Sequence, residues 1–146
     1  DSGLRQYPIA FDYNRRALNH EVGVDDASGT GSVAIGSYIE SSDFDIEDGD
    51  QFSFVSKLIP DVRFLSNEGS GQINFVLKTR NAPGENLTTN STNVITGSTA
   101  RVDLRSRSRQ MAVRFESDDD AVYPGNSNTG WRLGNNRIEI KPSGRR

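Results

Sequence analysis

The stretch Arg101-Val-Asp-Leu-Arg-Ser-Arg-Ser-Arg-Gln-Met-Ala-Val-Arg-Phe-Glu116 decides the fold class. Val102 and Leu104 are apolar at even positions, and Met111, Val113 and Phe115 at odd ones, which is the period of a half-buried strand. The parity changes inside Arg105 to Gln110. No turn residues stand there, so the pattern predicts a β-bulge in one long strand. Upstream, Gln72 to Thr79 gives the cleanest strand, with Ile73, Phe75 and Leu77 on one face and Asn74 and Lys78 on the other. Downstream, Trp131 and Leu133, then Gly134-Asn-Asn136, then Ile138 and Ile140 read as a terminal hairpin or a kinked strand.

The same reading extends to the remaining segments. Phe44 and Ile46, the turn Glu47-Asp-Gly-Asp50, and Phe52 and Phe54 predict a hairpin over residues 42 to 58, with Asp48-Gly49 as the turn pair. Pro60 cannot donate to a ladder and places Leu58 to Phe64 at a sheet edge or a bulge. Ala34 to Ile39 is apolar on both faces, as in a strand covered on both sides or by a neighbouring chain. Residues 81 to 93 read as the longest polar loop, Asp25 to Gly31 as another loop, and His20 to Val24 as a short strand. Leu4, Tyr7, Ile9, Phe11 and Tyr13 suggest an extended arm, and Arg15-Arg-Ala-Leu18 one helical turn. The expectation is an all-β fold, an antiparallel β-sandwich of about seven to nine short strands.

A chain of 146 residues is one domain by size. It begins at Asp1 in a segment that reads like the inside of a longer polypeptide. We therefore expect residues 1–18 to be an extended lead-in from a preceding domain and residues 19–146 to be the β-sandwich. No apolar run approaches a bilayer span. The absence of cysteine removes disulfides, thiolate chemistry and thiol-ligated metals. Charge is uneven: residues 1 to 50 carry 3 basic and 11 acidic side chains, a balance of −8, whereas residues 101 to 146 carry 10 and 6, a balance of +4. Halves of opposite sign pair within one sandwich or with neighbouring subunits.

Nothing in the residues announces an enzyme. His20, the sole histidine, lacks a partnering nucleophile, and the serines lie in loops without a Gly-x-Ser-x-Gly elbow. No cofactor is expected. Asp43, Asp45, Glu47, Asp48 and Asp50 have enough oxygens for calcium, but Asp48 stands where an EF-hand loop needs glycine, so a solvated turn is the simpler reading; Asp118-Asp-Asp120 is read likewise. Arg101, Arg105, Arg107 and Arg109 share one parity, about 7 Å apart along an extended strand. Such a row serves intradomain pairing, a subunit interface or phosphate contact; aromatic residues are not interleaved with it, which argues against nucleic-acid binding. Trp131 is read as core closing one end of the sandwich, or otherwise as an exposed anchor for a partner. Asn86-Leu-Thr and Asn90-Ser-Thr match the glycosylation acceptor pattern, with meaning only on a eukaryotic secretory route.

The closing third resembles the end of large virion structural proteins of tailed bacteriophages. Their closing segment commonly reads Arg-x-Arg-Gly-Arg-Gln-Met, then Trp-Arg-Leu-Gly, then Asp-Gly-Arg-Arg; here Arg105 to Met111, Trp131 to Gly134 and Pro142 to Arg146 follow that order. Tyr38 to Asp50, Phe54 to Phe64 and Arg80-Asn-Ala-Pro-Gly84 extend the resemblance over roughly residues 19 to 146. Ser108 departs from it, standing where the family pattern has Gly, which puts a positive-φ conformation there in doubt. The resemblance implies a non-enzymatic C-terminal β domain of a tail or connector component, a nozzle or hub. Such a protein is made in the bacterial host cytoplasm and assembles into a homo-oligomeric ring beside portal, adaptor and tail proteins, with packaged DNA contacted elsewhere in the parent. Within that reading Arg105, Arg107 and Arg109 are candidate interface donors and Asp43, Asp45 and Asp48 candidate acceptors. A carbohydrate-binding or host-adhesion module is the alternative, and it requires exposed aromatic residues, with Trp131 and Tyr123 as candidates.

Overall fold

The computed structural model describes residues 7–20, 22–23, 25–26, 33–45, 51–65, 71–117 and 130–145. Thirteen strands form among them, and no helix. They are β1 (Ile9–Phe11), β2 (Ala17–Asn19), β3 (Asp25–Asp26), β4 (Val33–Ala34), β5 (Tyr38–Glu40), β6 (Gln51–Ile59), β7 (Val62–Phe64), β8 (Gln72–Arg80), β9 (Thr88–Thr96), β10 (Val102–Ser108), β11 (Gln110–Glu116), β12 (Trp131–Leu133) and β13 (Arg137–Arg145). The excess over seven to nine comes from pieces of two or three residues, too short to show a period.

Two antiparallel sheets form the body, one ordered β10-β6-β13 and the other β5-β11-β8-β9. They close on a single apolar cluster. Val55 and Leu58 of β6 with Val102 and Leu104 of β10 meet Ile73, Phe75 and Leu77 of β8, Ile95 of β9, and Met111 and Phe115 of β11. The rings of Phe75 and Phe115 lie 5.2 Å apart at 56°, the tilted arrangement that aromatic quadrupoles favour. The fold is therefore an all-β sandwich, as its alternation predicts.

The parity change after Leu104 has a different cause from the single bulged strand expected. β10 pairs with β6, whereas β11 pairs with β8 and β5, so the chain crosses from one sheet to the other at Arg109. Val102, Leu104, Ser106 and Ser108 face the core before the corner, and Met111 and Phe115 after it. A register shift does occur in β10, between Asp103 and Ser106, but the corner resets which face is inward. Ser108 is an ordinary strand residue; among the described non-glycine residues, positive φ is found at Arg15.

Similar crossings correct the neighbouring expectations. Phe44 bridges to Met111 in one sheet while β6 belongs to the other, so residues 42 to 58 are not a hairpin; the turn pair Asp48-Gly49 lies outside the described residues. Residues 88 to 93, expected as the second half of a polar loop, belong to edge strand β9, where the ladder to β8 satisfies the backbone and most Thr and Asn side chains face water. Arg15 to Leu18 is not a helical turn. Arg15 adopts φ 64°, and Ala17–Asn19 returns antiparallel to Ile9–Phe11. His20, Val22 and Gly23 lie outside any strand, while Asp25–Asp26, expected as loop, pairs with Val33–Ala34.

The ending resolves into the kinked strand. β12 pairs with β7 and β13 with β6, so one two-stranded ribbon is interrupted where Pro60-Asp61 opposes Gly134-Asn-Asn136. Asp61 holds that break: its carbonyl accepts from the Gly134 amide at 2.8 Å, its carboxylate accepts from the Asn135 amide at 2.8 Å, and its own amide donates to Asn136 Oδ1 at 2.8 Å. A methyl at Gly134 would stand 2.6 Å from the Asp61 carboxyl carbon. We expect Gly134→Ala to destabilise the fold by about 1–3 kcal/mol, as overpacking does, read as a lower urea midpoint. By contrast, Ser106 Oγ is buried without a hydrogen-bond partner among the described residues, and Ser106→Ala should be neutral or stabilising in the same titration, because it removes an unsatisfied polar atom.

Candidate functional site

The run Ala34 to Ile39, expected to be covered on both sides or by a neighbouring chain, exposes apolar surface in the single chain from Ile35 onward. Ile35 is 53% exposed, Tyr38 61% and Ile39 54%. β5 sits at the edge of its sheet and, among the described residues, is ladder-paired to β11 alone. Ser117 pins the approach to it: its Oγ donates to the Ile35 carbonyl at 3.0 Å and accepts from the Ser37 amide at 2.8 Å, while its amide donates to the Ser37 carbonyl at 2.8 Å. Between this edge and β12 lies an open groove of about 560 Å³, lined by Ile35, Ser37, Tyr38 and Ile39 on one wall and Gly130 to Leu133 on the other.

Trp131 stands between its two readings. It packs against the core cluster and opposes Phe64 across the β7–β12 ladder, yet it is half-buried and lines the groove. Tyr123, the other aromatic candidate, lies outside the described residues. Tyr38 carries no site motif of its own in the sequence, and the two-sided apolarity of residues 34 to 39 is its only signal there. The Arg114 guanidinium lies 3.8 Å from the Tyr38 ring centre, which fixes one face of the ring as a cation–π contact.

Behind that contact runs an ion-pair network across the outer face of the four-stranded sheet. Lys78 Nζ donates to Glu40 Oε2 at 2.8 Å, Arg114 Nη1 to the same oxygen at 3.2 Å, and Arg114 Nε to Glu116 Oε2 at 2.5 Å. The Lys78 hydrogen bond, then that from Arg114, holds the Glu40 carboxyl below the usual glutamate range. On the other sheet, hydrogen bonds from Lys141 and Lys57 lower Glu139 from 4.5 to about 2.

The candidate interface residues are brought together only in part. Asp43 pairs with Arg80 Nη2 at 2.5 Å, and Asp45 accepts from Gln110 Nε2 at 3.3 Å, so both carboxylates serve contacts within the chain. Asp48 lies outside the described residues. Arg105 and Arg107 point outward from β10, and Arg109 is half-buried at the corner. Phe52 is the residue that the linear reading missed: Arg107 Cζ lies 4.2 Å and Arg109 Cζ 5.2 Å from its ring centre. Among the described residues no group of three acidic or histidine side chains converges as metal ligands would. No helix among them is long and apolar enough to cross a membrane.

No family model matches this chain, and no curated protein matches it.

The depressed carboxylates generate a pH dependence with a definite sign. A glutamate whose folded value lies below its unfolded one stabilises the fold fully above the unfolded value and loses that contribution as pH falls through the folded value. Stability should therefore hold down to about pH 5 and fall between about 4.5 and about 2 as Glu139 takes up its proton, with Glu40 acting in the same direction. Glu139→Gln should flatten that acid limb in thermal melts recorded across the range.

Proposed function

We propose that this chain is a non-enzymatic subunit-contact domain of a tailed-phage virion, the C-terminal β domain of a tail or connector component. The motif order from Tyr38 to Arg146 supports the class, and the exposed apolar edge at Ile35, Tyr38 and Ile39 carries the contact role. An edge strand offers unpaired amides and carbonyls, and natural monomers blunt such edges with charge, Pro or cover. Here the edge is lined with apolar side chains and continues over the groove to Trp131 and Leu133. Contiguous apolar surface of this kind marks a protein contact. Repetition of one such contact between identical subunits suits a ring, where many modest interfaces add through multivalency.

The contact we assign is apolar, because the candidate acceptors Asp43 and Asp45 are already engaged within the chain. Light scattering at low and high salt tests this. We expect an oligomer that persists at high salt and that Ile39→Lys converts to a monomer with little change in melting temperature. Dissociation by salt would instead assign the interface to the arginine row. A monomer at every salt and concentration, together with glycan binding lost in Tyr38→Ala, would replace this reading with the carbohydrate-binding one.

A further inference from the structure

We propose that the outer face of the β10-β6-β13 sheet binds the phosphodiester backbone of a nucleic acid, independently of the apolar edge. Along the chain the arginines of β10 have no aromatic neighbours, but the fold supplies them from β6. Arg107 opposes Phe54, and Phe54 in turn opposes Lys141 of β13, so basic residues flank a phenylalanine strand on both sides. The Arg107 guanidinium lies over Phe52, and its Nε and Nη2 donate to the Ser143 hydroxyl and carbonyl at 3.0 and 2.9 Å. Those partners are neutral, so they immobilise the cation without cancelling its charge. Arg105 is exposed in the same row and makes no ion pair among the described residues. The nearby carboxylates are already engaged, Asp103 by Arg101 and Glu139 by Lys57 and Lys141.

This exposed positive charge calls for a polyanion, and a phosphate chain, with one charge on every unit, supplies it. Arg105 and Arg107 are about 7 Å apart along an extended strand, which is about twice the roughly 3.4 Å axial rise per phosphate of one nucleic-acid strand. Ser143 holds the Nε and Nη2 donors of Arg107, and the guanidinium keeps its remaining Nη donors for phosphate oxygens. Phe52 and Phe54 are half-buried, with guanidiniums over the Phe52 ring, so they order the cations and do not offer a free stacking platform for bases. Binding is then independent of sequence and dominated by counterion release.

Fluorescence anisotropy of the whole chain with a labelled single-stranded oligonucleotide, and separately with a duplex, tests the proposal. Nonspecific phosphate binding predicts dissociation constants of about 10⁻⁴ to 10⁻⁶ M that weaken steeply between about 50 and 200 mM salt. Arg105→Gln, which removes an exposed side chain with no packing role, should reduce the slope of log affinity against log salt by about one. Adding Arg107→Gln should weaken binding further, with melting curves confirming that both variants fold. The proposal is overturned by absence of binding to either probe at low salt, by affinity that Arg105→Gln leaves unchanged, or by a polyglutamate peptide that binds as tightly and competes. The comparison of the two probes assigns the single-stranded or the duplex form.

Discussion

Val55, Leu58, Val102 and Leu104 on one sheet meet Ile73, Phe75, Leu77, Met111 and Phe115 on the other, and burial of that seam constrains the rest of the chain. Each such side chain removed from water contributes about 1.5–3 kcal/mol, and no disulfide is available to substitute for it. Because both sheets must turn one face inward, every crossing between them has to reset the inward parity. Arg109 performs that reset between β10 and β11, and the chain also changes sheet between Phe44 and β6, β6 and β8, β9 and β10, and β11 and β13. The seam thus dictates where the chain bends as well as what it buries.

With the interior committed to apolar contact, charge is displaced to the outer faces and sorted there. Glu40 and Asp43, from the acidic first third, are engaged by Lys78, Arg114 and Arg80 from later strands. Much of the opposition between acidic and basic segments is accordingly settled inside the chain. Arg105 and Arg107 stand apart from that sorting, since β10 turns them outward where the neighbouring carboxylates are already paired. The two outer features are consequently of different chemistry: an apolar edge around Tyr38 and Trp131, and a basic face around Phe52.

The same constraint explains why the edge at β5 is apolar. Ile39 opposes Phe115 across the ladder, while Ile35 precedes the strand and is held by Ser117. These residues complete neither the seam nor the charge network of the outer face. Ile35, Tyr38 and Ile39 are thus left exposed together at this edge, and the proposed subunit contact rests on them.

The alternation in Gln72 to Thr79, in Val102 and Leu104, and in Met111 to Phe115 by itself determined the all-β class and most of the core, because period-two apolarity is a local property of each strand. The outward parity of Arg105 and Arg107 was legible for the same reason. Sheet membership was decided by the tertiary structure, since a corner at Arg109 and a bulge produce the same parity change along the chain, and only the pairing partners distinguish them. Polar β9 escaped the linear reading because an edge strand satisfies its backbone through its neighbour and needs little apolar surface of its own. The Phe52–Arg107–Ser143 cluster and the Tyr38–Trp131 groove were likewise decided by strand order, which brings side chains from distant segments into contact with no signal in their spacing.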